Sequence, residues 1–327
     1  MAASKSWQSA DLSRHLEKFF TAQGVLDARL CVAFSGGRDS AVLLHAAAKL
    51  GLAQLGALHV NHGLSPNADA WQAHCAKFCA GLGVALQVER VEIGHQGGLG
   101  LEAAARNARY DAFARANAEA ILLAHHQGDQ AETVLFNLVR GAGTAGAAGI
   151  PAVRSSNGLH LLRPLLDVPP EAVAAYAEAN ALIWVEDESN RDHRFSRNFI
   201  RHQVMPVLAD RFPSATQCLA ASAGRFAEAE ELLADLAAMD WEACAEGDVL
   251  RLKAARHLSS PRLKNLLRWR LRCLHWRAPV AARMDEFVHQ ILTAGPDRHP
   301  LLELAEGKMH VKLGRLFWER SGNICER

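Results

Sequence analysis

Residues 32–40 read VAFSGGRDS, behind Leu30 and Cys31. The apolar run, with β-prone Val32 and Phe34, reads as a buried strand. The following AVLLHAAAK sets Val42, Leu43 and Ala46 at helical spacing. The stretch is therefore strand, glycine turn, helix. Such a turn gathers backbone N–H groups and the positive end of the helix dipole in one small volume, where an anion is favoured. It is not a Walker A loop, because Arg38 and not a lysine follows Gly37, and the adjacent glycines do not make G-x-G-x-x-G. A plain tight turn would use the same glycines. Ser35, Asp39 and Ser40, which add two hydroxyls and a carboxylate at that point, favour a ligand.

Outward from this loop the alternation of strand and helix continues. Strands are expected at 52–60, 84–93, 120–126 and around 160–168. Helices are expected at 71–83, 101–120, 130–143 and 169–180. Such a series predicts a parallel sheet covered on both faces, with ligands outside the carboxyl ends of the strands. Past residue 212 the pattern changes to a helical, acidic stretch. The expected organisation is a first unit over 1–212, a helical linker over 213–239 and a smaller, mostly helical unit over 240–327.

Asp39, in the first helical turn, fits a divalent cation shared with phosphate oxygens, or else a carboxylate favoured by the helix dipole. In LAHHQGDQAETVL, Asp129 and Glu132 stand three apart and share a helix face. They suit a cation or a substrate ammonium; helix capping would use Asp129 equally well. In EAAARNARY, Arg106 and Arg109 could stabilise charge on a phosphate, or form a solvated face with Glu102. The stretch 251–277 carries nine Lys or Arg residues and no acid, with Trp269 and Trp276 interleaved. That composition fits a nucleic-acid backbone, with Arg191, Arg194, Arg197 and Arg201 as a second basic run.

With 36 basic against 35 acidic residues the net charge is +1, so nucleic-acid affinity must come from such local patches. The N-terminus has no apolar core of a signal peptide and no run approaches a membrane span. Seven scattered cysteines without a C-x-x-C point to core thiols in a reducing compartment, and the chain is expected in the cytoplasm.

Taken together, SGGRDS, HVNHGL, EAAARNARY, AHHQGDQAET, RPLL and WVEDESNRDHRFSRNFIR resemble the tRNA(Ile)-lysidine synthetases, a branch of the PP-loop ATP pyrophosphatases. The resemblance is strong over residues 28–212 and weaker over 240–320. It implies a Rossmann-like parallel sheet of the PP-loop/adenine nucleotide alpha hydrolase type, followed by a mostly helical tRNA-binding domain. It implies ATP and Mg²⁺ as cofactors, and L-lysine and a CAU-bearing tRNA(Ile) as partners, and leaves a homodimer open. Ser35, Gly36, Gly37, Arg38, Asp39, Ser40 and His59 would bind ATP, with Asp39 at the metal. Asp39, Arg109 and Asp129 would be catalytic, and Asp129 and Glu132 would hold the lysine. Arg197, Arg201, Arg262, Lys264, Arg268 and Arg270 would contact tRNA. Two departures stand out: relatives commonly pair two aspartates where this chain has Gly128-Asp129, and the chain is expected to lack the further C-terminal domain of longer relatives. The rivals are a tRNA thiolation enzyme on the same fold, disfavoured without a C-x-x-C, and a catalytically silent RNA-binding relative.

Overall fold

The computed structural model describes residues 9–63, 65–91, 101–156, 158–186, 188, 196–293, 295 and 297–321. The described chain divides into two compact units, one up to Phe226 and one from Ala227. This division falls inside a single long helix, Ala215–Cys244.

The first unit runs α1 (Ser9–Gln23), β1 (Leu30–Ala33), α2 (Arg38–Lys49), β2 (Leu55–Asn61), α3 (Ala68–Leu82), β3 (Ala85–Arg90), α4 (Leu101–Arg115), β4 (Ala120–Leu122), α5 (Gln127–Val139), α6 (Thr144–Ala147), β5 (Val153–Ser156), β6 (Leu159–Leu162) and α7 (Pro170–Ala179). After it come α8 (Ser196–Phe199), a π-helical turn at Ile200–Val204, α9 (Met205–Arg211) and the long helix α10 (Ala215–Cys244). The sheet order is β3-β2-β1-β4-β6-β5. Strands β1 to β4 and β6 are parallel, as the alternating pattern requires. The exception is β5, which pairs antiparallel with β6 as an edge hairpin that the apolar pattern did not reveal.

Neighbouring residues of each strand explain why both faces must be covered. On β1, Leu30 and Val32 enter one core with α1, α2 and α7, whereas Cys31 enters a second core with Phe113 of α4. Leu122 and Ile121 of β4 divide in the same way, as do Leu162 and Leu161 of β6. Side chains that alternate between two dry layers read as continuous apolar runs. That is the pattern seen in LCVAF and AILLA.

Strand order also places the site. From β1 the chain winds outward through β2 to β3, then crosses back to β4 on the other side of β1. The loops leaving β1 and β4 therefore diverge to opposite faces at adjacent carboxyl ends, which opens a crevice between them.

The second unit adds β7 (Ala245–Glu246), β8 (Val249–Arg251), α11 (Leu252–Ala255), α12 (Ser260–Cys273), α13 (Ala281–Thr293), β9 (Leu301–Glu303), β10 (Gly307–Lys312) and β11 (Arg315–Arg320). Its helices accompany a five-stranded antiparallel sheet, β7-β8-β11-β10-β9, built from two local groups of short strands, β7–β8 and β9–β11, joined where β8 pairs with β11. Leu263, Leu266, Leu267 and Leu271 of α12 fill its core with Phe287, Ile291 and Met309. Gly307 sits under the ring of Trp276, and a Cβ there would meet that ring and the Glu319 carbonyl of the paired strand. Gly307→Ala is therefore expected to destabilise this unit by about 1–3 kcal/mol, seen as a lower urea midpoint; an unchanged midpoint would refute this packing.

Candidate active site

The loop after β1 is built for an anion. Gly36 has φ +86°, a left-handed conformation that disfavours a side chain, and a Cβ there would press on Cys75 and Val185, each at 3.0 Å. Gly37 begins α2 in extended conformation, and no side chain caps the helix. Its first N–H groups are therefore left for a ligand. Ser40 Oγ donates to the Gly37 carbonyl at 2.9 Å and meets Ser35 Oγ at 3.1 Å, which stiffens the turn.

His59 holds this loop from below. It is buried on β2, and its Nδ1 donates to the Phe34 carbonyl at 2.9 Å, with Cys75 Sγ at 3.4 Å. The Nδ1 side of the ring is thus committed to the backbone under the loop on which the expected nucleotide site is built. Arg38 is likewise turned sideways, its Nε donating to Asp39 Oδ1 at 2.9 Å.

Asp39 is the hinge of the site. Its Oδ2 lies 3.6 Å from His126 Nε2, so the carboxylate of the first loop meets the loop leaving β4 across the crevice. Burial alone would raise the Asp39 carboxyl, but His126 and then Arg38 outweigh it and hold the pKa below the ordinary value. His126 caps α5: its Nδ1 accepts from Gly128 N at 3.0 Å and Asp129 N at 3.4 Å, and its own N–H donates to Asp129 Oδ2 at 2.9 Å.

Asp129 and Glu132 do share a face, and two arginines cover it. Arg201 Nε donates to Glu132 Oε1 at 2.7 Å, while its Nη2 reaches Glu132 Oε2 at 2.9 Å and Asp129 Oδ1 at 2.8 Å. Arg197 Nη2 donates to Thr133 Oγ1 at 3.1 Å, with its Nε 3.6 Å from Glu132 Oε2. The two arginines expected at tRNA thus pair with the two acids in one four-residue cluster. Arg201 projects from the π-helical turn, an irregularity that often marks functional helices. Glu132, 5% exposed, is a carboxylate that only such pairing can keep in the interior.

A cationic wall closes the crevice. Burial, with the charges of Arg109 and His59 behind it, pushes His62 down to about 4. Burial likewise takes His125 to about 4, against Asp129 and with help from Arg163, Arg197 and Arg106. Both rings are therefore neutral at pH 7, and each has a buried Nδ1 without a partner among the described residues. Arg163, buried after β6 in the RPLL segment, donates to the Pro151 carbonyl at 2.8 Å. In the sequence His125 and His126 are a histidine pair at a strand end, as often structural as functional, and His62 and Arg163 stand only within the HVNHGL and RPLL segments. The side chain of Glu102, and Arg191 and Arg194, lie outside the described residues.

Among the described residues no group of three or more His, Cys, Asp or Glu side chains could hold a metal alone. A Mg²⁺ ion would fit Asp39 only in company with phosphate oxygens of a ligand, which the N–H groups of the uncapped start of α2 would hold.

The basic helix of the second unit is largely committed. Arg262 pairs with Asp240, Lys264 with Asp285 at 2.9 Å and Arg270 with Asp248 at 2.7 Å. Arg270 also stacks on Trp241, 4.4 Å from the ring centroid. Arg268 is exposed and has no ion pair of this kind among the described residues. No described helix is long and apolar enough to cross a membrane.

The PP-loop domain family matches residues 8–208, and the TilS substrate binding domain matches residues 250–317. A tRNA(Ile)-lysidine synthase from Aromatoleum aromaticum is 48% identical over 80% of this chain and 62% of its own length. Those from Alkalilimnicola ehrlichii and Pseudomonas aeruginosa are each 44% identical, over 94% and 88% of this chain and 69% and 68% of their own. The chain thus spans about two thirds of the length of these relatives. The fold is shared with a U34-tRNA thiolase from Methanococcus maripaludis, at TM-score 0.57 and 16% identity over 67% of this chain and 79% of that one. The chain belongs to the tRNA(Ile)-lysidine synthase family of PP-loop proteins.

The ion cluster makes stability depend on acid. Burial would raise the Asp129 carboxyl, but His126 foremost, with Arg201 behind it, keeps its pKa below the ordinary value. A depressed folded-state pKa gives stability that is fully present above the unfolded value of about 4 and is lost as pH falls through the folded value. The melting temperature should therefore drop on acidification below about pH 4. Arg201→Ala should melt lower at pH 7, with its gap from the parent narrowing towards pH 3. A gap constant across that range would sink the assignment.

Proposed function

We propose that this chain ligates lysine to C2 of the cytidine at the first anticodon position of a CAU-bearing tRNA(Ile), using ATP. The observation that carries the reading is the meeting of three parts at one crevice: the anion loop at Ser35–Ser40, the Asp39 carboxylate against His126, and the acid pair Asp129–Glu132. Family membership supports tRNA(Ile) as a substrate, and the arrangement of the three parts supports a nucleotide and an ammonium at the crevice.

On this reading the turn at Gly36 and Gly37 and the start of α2 grip the pyrophosphate of ATP. Mg²⁺ held with Asp39 would neutralise phosphate charge. The cytosine C2 carbonyl oxygen attacks the α-phosphate, forming the O–P bond as the α–β bond breaks and pyrophosphate leaves. Arg109, in electrostatic reach of His62, stabilises the charge that develops on the α-phosphate. The ε-amine of lysine then attacks C2, the C–O bond breaks and AMP departs. Two carboxylates suit the other ammonium of that lysine, which would take the place of the Arg201 guanidinium. Neutral His125, at the mouth of the β4 loop, is free to accept a proton from the attacking amine.

The tRNA-binding reading now rests on the exposed side chains of the basic stretch, Arg268 first among them. Arg268→Ala should weaken tRNA binding evenly across tRNA sequences and reduce the salt dependence by about one phosphate contact. An unchanged salt slope would remove it from the interface.

Labelled-lysine incorporation, with ATP and Mg²⁺, into a CAU-bearing tRNA(Ile) transcript tests the reaction directly. The parent chain should label that tRNA and not the CAU-bearing methionine tRNA. Asp39→Ala should abolish tRNA adenylation and leave tRNA binding nearly intact. Arg109→Ala should lower the adenylation rate by about 10²–10³-fold. Pyrophosphate release without lysine incorporation would point to another nucleophile, and no release at all would leave a silent tRNA-binding protein.

A further inference from the structure

Helix α5 begins on an imidazole. Ser, Thr, Asp and Asn are the side chains that normally accept from the first helical N–H groups. Here the acceptor is His126 Nδ1, at 3.0 Å from Gly128 N and 3.4 Å from Asp129 N. A ring is much larger than a hydroxyl, and it lies directly against the second residue of the helix. Gly128 makes the room. A Cβ at that position would sit 2.8 Å from His126 Cε1 and 3.0 Å from its Nδ1, with Pro170 Cγ 3.7 Å away. Gly128 is not at a positive-φ position, so the backbone does not call for glycine. The ring is 6% exposed and cannot swing out into solvent. Ring and glycine are a matched pair.

The cap has a consequence on the far side of the ring. A nitrogen that accepts two N–H groups carries no proton, so the proton of the neutral ring sits on Nε2. Nε2 faces Asp39 Oδ2 at 3.6 Å. The other oxygen of Asp39 is already held by Arg38 Nε at 2.9 Å. The orientation of the carboxylate in the anion loop is therefore referred, through one imidazole, to the start of the helix on the opposite side of the crevice.

We propose that His126 is a positioning residue for Asp39, held by the start of α5 with its Nε2–H towards that carboxylate, and that Gly128 is the residue that keeps its place open. This rests on the reading of Asp39 as the carboxylate for Mg²⁺ and ATP. On this view glycine at 128 is a fitted part of the site and not damage to it.

The full chain, ¹⁵N-labelled at histidine, tests the pair without any activity assay. Long-range ¹H–¹⁵N correlation at pH 7.5 should show one ring with a bare, hydrogen-bonded Nδ1 and a protonated Nε2, missing from His126→Asn. Gly128→Ala should abolish that ring's signature in the otherwise folded chain. A ring protonated on Nδ1, neutral or charged, would overturn the proposal. The positioning role is read from Mg²⁺-dependent ATP binding. Asparagine at 126 still caps α5 but cannot reach Asp39, so His126→Asn should keep the melting temperature yet raise the Mg²⁺ needed for half-saturation about tenfold. Gly128→Ala should raise it as well, in the same direction. An unchanged Mg²⁺ requirement in both variants, beside a raised one in Asp39→Asn, would remove the positioning role alone. If Asp39→Asn itself leaves the requirement unmoved, the reading of Asp39 falls, and the proposal with it.

Discussion

One topological constraint organises the site: the reversal of strand order between β1 and β4. Because the two strands are parallel and adjacent, their carboxyl ends lie side by side, and because their crossovers run opposite ways, their loops part. No side chain of α2 could otherwise approach the start of α5, which lies about ninety residues further along. The Asp39–His126 approach at 3.6 Å is the visible result of that reversal. Shifting the pairing of Leu30 with Leu55 and Ala120 by one residue would carry Val32 to the wrong face and the loop with it. The apolar layers on either side of β1 therefore fix the chemistry at its end as firmly as they fix the fold.

Electrostatics in the crevice are balanced in advance. The start of α2 and the wall of Arg106 and Arg163 favour anions, and the two histidines at strand ends stay neutral because burial has stripped their charge. On the other side, two carboxylates survive in the interior because Arg201 and Arg197 lie on them. Such a cluster stores little net stability, since desolvation offsets most of the attraction. On the proposed reading its value would be exchange: a substrate ammonium would replace a guanidinium at similar charge, and neither acid would be left bare. Arg201 is carried by the π-helical turn and not by the regular helix α9 that follows it.

What could be read from the sequence was local. VAFSGGRDS announces strand, turn and helix within nine residues, and the alternation of apolar runs with alanine-rich helices states the parallel sheet. The spacing of Asp129 and Glu132 put both on one face, as observed. What could not be read was long-range. Arg197 and Arg201 sit in a basic run that looks free for RNA, and only folding sets them 64 to 72 residues back against α5. The acids that pair Arg262, Lys264 and Arg270 lie outside the acid-free stretch, so composition showed the charge and hid its partners. The β5–β6 hairpin and the antiparallel sheet of the second unit use strands of two to six residues, too short for alternation to register. Gly128 looked like a missing acid because a sequence shows the side chain that is absent and not the ring that fills its place.

The absence of a loop lysine follows from which bond such a site would break. A Walker lysine serves the β- and γ-phosphates, where charge builds when the terminal phosphoryl group is transferred. When the bond is α–β, the leaving group is pyrophosphate, whose charge backbone N–H groups and a divalent cation can hold together. A lysine beside Gly37 would also stand where Arg38 now binds Asp39, and would compete with the cation for that carboxylate. The guanidinium, fixed sideways on Oδ1, leaves Oδ2 turned to the crevice. A short turn of two glycines, two hydroxyls and one oriented carboxylate is then enough, provided that the second loop arrives to complete it.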